Sequence, residues 1–135
     1  MASLEQYVVV ALGDRNLLPD GVYKYRGSHL EPIRTGTVGD AFAACLLQPE
    51  FAERFPVAVV LAARLDVVFA KYALRQYRTV HVDAGIQVQN LYLAAEAVGL
   101  AGCAVAGYDD ERIAAFLDLD DTRIAVIAFV LGERD

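Results

Sequence analysis

Lys71 and Tyr72 are adjacent, and Arg75 and Arg78 follow close behind, in a chain with only two lysines. On a helix, Lys71, Arg75 and Arg78 fall at i, i+4 and i+7 and share one face. Such a face can hold an anionic ligand or polarise a carbonyl. Paired with Asp66, Asp83 or another acid, it is instead an ordinary solvated surface. A phenol beside an ammonium is also a proton-transfer pair, because the cation stabilises the phenolate. Adjacent helical residues point about 100° apart, so Tyr72 can equally fill the core next to Phe69.

A second cluster is backbone rather than side chain. Gly99, Gly102 and Gly107 fall within one short stretch that also carries Cys103 and Ala106. Glycine lets a main chain approach a flat ring and leaves its amides unobstructed. Gly99 is also explained as a helix stop and Gly107 as a strand end. The spacing is not a dinucleotide fingerprint, and no strand precedes it at the required place.

Other chemistries find little support. His29 and His81 stand apart without a ligand pattern, so no metal site is expected. Ser3 and Ser28 are the only serines, and neither sits in a nucleophile elbow. Cys45 and Cys103 have no metal or redox spacing and read as two buried free thiols, in a helix and a strand, suited to a reducing cytoplasm.

The elements that must position these residues occupy 135 residues, 56% hydrophobic and 22% charged. That is enough for one domain, 1–135, with a real core. The apolar excess implies that another subunit covers part of the surface. A net charge of −6 argues against nucleic acid as a partner. The opening residues do not read as a signal peptide, and apolar runs such as Ile124–Leu131 are too short to span a bilayer as helices. The expectation is a cytoplasmic protein with no membrane association.

Along the chain, a strand over Tyr7–Leu12 stops at Gly13-Asp14, and Pro19-Asp20-Gly21 marks a turn before short strands Val22–Arg26 and His29–Arg34. Asp40 is a cap for a helix from Ala41, and Pro49 breaks it before helical Glu50–Arg54. Val57–Ala63 is a continuous apolar run, as in a buried central strand. Asp66 is the next cap, and the helical pattern then runs to Val98, as one helix or as two meeting around Thr79. Val80, Ala84, Val88, Leu91, Ala95 and Val98 line one side, while Val82, Ile86, Leu93, Ala94 and Ala97 occupy others. A helix apolar all round is expected to be buried on all sides, and Gly99 ends it. A strand over Ala101–Tyr108, a helix from Asp109-Asp110 to about Leu117 and a strand over Arg123–Leu131 complete an α+β pattern.

Lys71-Tyr72, Arg75-Gln76-Tyr77-Arg78, Asp83-Ala84-Gly85, Gln89-Asn90-Leu91, Leu93-Ala94-Ala95-Glu96-Ala97, Gly99-Leu100 and Gly107-Tyr108-Asp109-Asp110 stand in this order. The series resembles the nitroreductase-like FMN proteins, in particular the SagB/McbC-type dehydrogenases that oxidise peptide thiazolines and oxazolines. The resemblance implies an α+β fold whose central, mostly antiparallel sheet is flanked by helices, with a long buried interface helix. It implies Lys71 and Tyr72 as catalytic residues. It implies Arg75, Arg78, Gly102, Cys103, Ala106 and Gly107 as cofactor-binding, with the backbone of Ala106 and Gly107 near the reactive edge of FMN.

The family's N-terminal phosphate-binding motif has no counterpart here, so the domain is expected to be truncated. A homodimer or a heteromer with a flavin-site-completing chain then follows. Two functions are compatible with the pattern. One is an FMN-dependent oxidoreductase acting on a peptide-derived substrate, and the other is a cofactor-free nitroreductase-like binding or scaffolding subunit.

Overall fold

The computed structural model describes residues 3–13 and 18–135; Asp14 of the first expected turn lies outside them. The described residues form six strands: β1 (Leu4–Val10), β2 (Gly21–Tyr25), β3 (Leu30–Thr35), β4 (Val57–Arg64), β5 (Leu100–Val105) and β6 (Arg123–Glu133). They form one sheet in the order β3-β2-β1-β4-β6-β5, with every neighbouring pair antiparallel. The helices among the described residues are α1 (Gly39–Ala43), α2 (Glu50–Arg54), α3 (Leu65–Lys71), α4 (Gln76–Ala97) and α5 (Asp110–Phe116). The fold is α+β, as the pattern of elements predicts.

The sheet is covered on both faces. On one side Tyr7, Val9, Val60 and Val130 pack with Phe42, Cys45 and Leu46, and with Ile113 and Phe116 of α5. On the other, Val59, Leu61 and Phe129 pack with Val68 of α3 and with Val80, Ala84, Val88 and Ala95 of α4. The unbroken apolar run of β4 follows from this arrangement, since Ala58–Ala63 are all buried between two layers.

Helix ends account for several differences from the sequence reading. α5 starts where expected, and Asp109 caps it by accepting from the Arg112 amide at 2.9 Å. Asp40 and Asp66 do not cap. They sit inside the first turns of α1 and α3, where Val38 and Arg64 take the cap positions without a side-chain capping hydrogen bond. Asp66 instead receives the Arg64 guanidinium, with Nε to Oδ1 at 3.1 Å. Gly99 ends α4 in a left-handed conformation (φ 76°), its amide donating to the Glu96 carbonyl at 3.1 Å.

The helical stretch divides earlier than Thr79. Tyr72 is extended (φ −133°, ψ 160°), so α3 stops at Lys71 and α4 starts at Gln76. The long helix is also not buried on all sides within one chain. Its inner stripe is covered, but Val82, Ile86, Leu93 and Val98 face outward, each more than half exposed. β5 is shorter than the predicted Ala101–Tyr108, and Tyr108 instead makes an isolated bridge to Leu46. Of the two thiols, Cys45 is buried just beyond α1 and Cys103 is half-buried.

Candidate active site

The break between α3 and α4 decides the geometry of the Lys71-Tyr72 pair. Because Tyr72 leaves the helix, the two side chains come together, with Lys71 Nζ 5.5 Å from the centre of the Tyr72 ring. Both residues are exposed, Tyr72 by half. They line a cleft of about 390 Å³ together with Ser3, Gln76, Thr79 and Asp83. Gln76, Thr79 and Asp83 fall at i, i+3 and i+7 of α4 and so present one face of that helix to the pair.

The same break removes the single basic face expected of Lys71, Arg75 and Arg78. Lys71 closes α3, Arg75 precedes α4 and Arg78 lies in its first turn. What they share is electrostatic. All three are exposed, and none of their side chains makes a hydrogen bond or ion pair among the described residues. Every other described lysine and arginine is engaged: Lys24, Arg26, Arg54, Arg64, Arg123 and Arg134 with carboxylates, Arg34 and Arg112 with carbonyls. Three uncompensated cations within one segment of an acidic protein form a surface that favours an anion.

The glycine-bearing segment lies on β5, at the sheet edge beyond β6. Gly102 has a packing reason, since a Cβ there would come within 2.5 Å of the Phe129 ring, which is fully buried. Cys103 faces the opposite layer and packs against the α5-side core. Ala106 and Gly107 follow the strand and differ in kind. Neither amide donates a hydrogen bond among the described residues, so two successive N–H groups are free. Ala106 is exposed, and Gly107 has no side chain to obstruct approach. This corner shares no lining residue with the Lys71-Tyr72 cleft. Two free donors beside an open backbone fit the acceptor-bearing edge of a planar heterocycle such as a flavin.

Sequence reasoning gave no role to Leu47, and gave Asp83 one only as a partner for the basic face and as part of a motif; the structure places Asp83 in the Lys71-Tyr72 cleft. Leu47 carries no signal in sequence, because its position over Gly107 arises from a contact across the fold. A larger cavity of about 760 Å³, bordered by Ala11, Asp40, Glu53, Arg54 and Glu133, contains none of the expected residues.

The most enclosed charges lie elsewhere. Glu5 of β1 accepts from Lys24 Nζ at 2.9 Å, Arg123 Nε at 2.8 Å and the Tyr7 hydroxyl at 3.1 Å. Burial raises the Glu5 carboxyl, but the bonds and charges of Arg123 and Lys24 outweigh it and hold the group below its ordinary range. Burial, and then the Glu5 charge, push the Tyr7 phenol up to about 12. The cluster joins β1, β2 and β6 and is spent internally. Among the described residues no three metal-ligating side chains converge, and no helix is long and apolar enough to cross a membrane.

Comparisons with known proteins agree with this architecture. The nitroreductase-family protein MJ1384 of Methanocaldococcus jannaschii is 30% identical over 104 residues, covering 76% of this chain and 52% of its own length. A nitroreductase-like protein of Anabaena variabilis superposes with a TM-score of 0.87 at 25% identity, over 97% of this chain and 27% of its own. The Escherichia coli microcin synthetase McbBCD complex, solved with truncated pro-MccB17 bound, gives a TM-score of 0.86 at 26% identity, over 98% of this chain and 52% of the matched chain. The chain thus spans about half the length of its curated relative. The family model for the nitroreductases matches residues 4–133, and the chain belongs to the nitroreductase family.

Proposed function

We propose that this chain is an FMN-dependent oxidoreductase resembling the peptide azoline dehydrogenases, working as a dimer or with a second chain that completes the flavin site. The observation that carries the reading is the pair of unused amides at Ala106 and Gly107. Members of this family generally bind FMN. FMN, when bound, supplies the two-electron redox chemistry. The chain's own residues bind and orient. The Ala106 and Gly107 amides fix the ring edge, while Arg75 and Arg78 offset the anionic charge of the cofactor. Lys71 and Tyr72 hold the substrate in their cleft and pass its proton. The bound pro-peptide of the E. coli complex supports a peptide-derived substrate. The outward Val82, Ile86 and Leu93 support a second chain, since exposed apolar surface of this kind is costly in isolation.

A cofactor-free scaffolding role is favoured by one observation: the outward face of α4 calls for a partner whether or not a flavin is present. The two readings separate in one experiment. Lys71→Ala and Tyr72→Phe are expected to lower turnover of an azoline peptide by about 10²- to 10⁴-fold. Melting temperature and FMN retention should stay unchanged. Full activity in both variants removes the catalytic roles, and a chain that never takes up FMN, even when associated, supports the scaffold.

A further inference from the structure

We propose that Leu47 is the apolar wall of the ring site at Ala106 and Gly107; this rests on the flavin reading above and adds the side chain that covers the ring's face. The segment from Ala44 to Leu47 is clamped to the start of α5. The Leu47 amide donates to the Gly107 carbonyl at 2.9 Å and the Asp109 amide to the Cys45 carbonyl at 2.8 Å. The Arg112 guanidinium donates to the Ala44 carbonyl at 3.1 Å. Cys45 and Leu46 turn into the core and are buried, which sends Leu47 outward at 72% exposure.

Its direction is specific. A Cβ built on Gly107 would lie 3.6 Å from Leu47 Cδ1 and 3.7 Å from Leu47 Cβ, so the leucine leans along the bare backbone of Gly107. An exposed leucine on a free loop needs no explanation. This one is fixed by hydrogen bonds at both ends of its segment and stands beside two unused amide donors. Ligand pockets combine these elements, with a few polar groups fixing orientation and apolar side chains covering the rest. The donors address the edge of a planar ring, and Leu47 addresses its face. Ala106, small and exposed, leaves the approach open.

The test uses the whole chain as wild type, Leu47→Ser and Leu47→Met. Each is titrated with FMN by quenching of flavin fluorescence. The FMN-free proteins are melted, and their mass in solution is measured. Leu47→Ser is expected to bind FMN about tenfold more weakly, equivalent to about 1.4 kcal/mol. Leu47→Met keeps the apolar volume and should bind close to wild type. All three should melt alike and keep the same mass. Equal affinity in Leu47→Ser overturns the proposal and leaves the flavin reading intact. A matching loss of melting temperature or of association also overturns it, because the side chain then serves the fold or a subunit contact. Wild-type protein that does not quench FMN overturns this proposal together with the reading of a flavin site completed by the chain's own dimer.

Discussion

The backbone amide of Ala104 donates to the hydroxyl of Tyr92 at 2.8 Å, so a residue of α4 occupies an outward donor of the edge strand β5. The same ring meets Phe129 edge-on at 4.7 Å between centroids. Tyr92→Phe keeps the ring and deletes the acceptor. It should cost about 0.5–1.5 kcal/mol in urea unfolding, with faster hydrogen exchange at Ala104. Unchanged exchange there would mean that solvent replaces the hydroxyl without penalty.

Gly102 is held without a side chain by Phe129. A Cβ would approach two carbons of that ring at 2.5 and 2.6 Å, and the ring has no room to retreat because it is fully buried. Gly102→Ala is therefore expected to destabilise the fold by about 1–3 kcal/mol, measured by thermal or urea unfolding. A stable Gly102→Ala protein would show that Phe129 can find another position.

Stability should follow the titration of Glu5. Its carboxyl is held below the ordinary value of 4.5, so the stability it contributes is complete above that pH. It is lost as pH falls through the lowered value. Glu5→Gln leaves Lys24 and Arg123 facing a weaker acceptor and should cost about 1–3 kcal/mol near neutrality. The gap between variant and wild type should narrow on acidification below pH 4.5. A gap that stays constant would exclude Glu5 as the titrating group. At the alkaline end Tyr7 works in the opposite sense. It ionises near 10 when unfolded and about 12 when folded, so stability declines over that interval.

The outer face of α4 can be tested separately from its inner one. Val82 and Ile86 are more than half exposed, whereas Val88 is buried against the sheet. The double variant Val82→Asp, Ile86→Asp should retain its fold and dissociate to monomers by light scattering. Val88→Asp should unfold, since it buries an unpaired charge. A wild type that is monomeric at every concentration would remove the interface.

Much of the architecture was legible because it follows from local chemistry. The apolar run before Arg64 predicted a doubly covered strand, and Asp109 announced the start of α5. The Lys71-Tyr72 pair was legible as a type of chemistry but not as a shape. Continuous helical spacing through residues 66–98 hid the extended Tyr72, so a common basic face was expected where three separate cations stand. Helix capping by Asp40 and Asp66 failed because each acid lies inside a first turn, and Asp66 has the Arg64 guanidinium as a partner. Gly102 and Gly107 looked alike in sequence. Only the fold shows that one accommodates Phe129 and the other stands beside free amides and Leu47. Sequence patterns report short-range periodicity, and these distinctions are set by residues far apart in the chain.

The placement of β6 between β4 and β5 has a consequence for how the protein is made. β6 follows both neighbours in the chain, yet among the described residues it supplies the only strand partner that β5 has and one of the two that β4 has. During synthesis β5 emerges without a strand partner, and β4 waits with one flank open. The sheet closes only when the segment from Arg123 onward has left the ribosome. Pairings of such long sequence separation form slowly, so the nascent chain passes through a stage in which the apolar strand β4 has one flank unpaired.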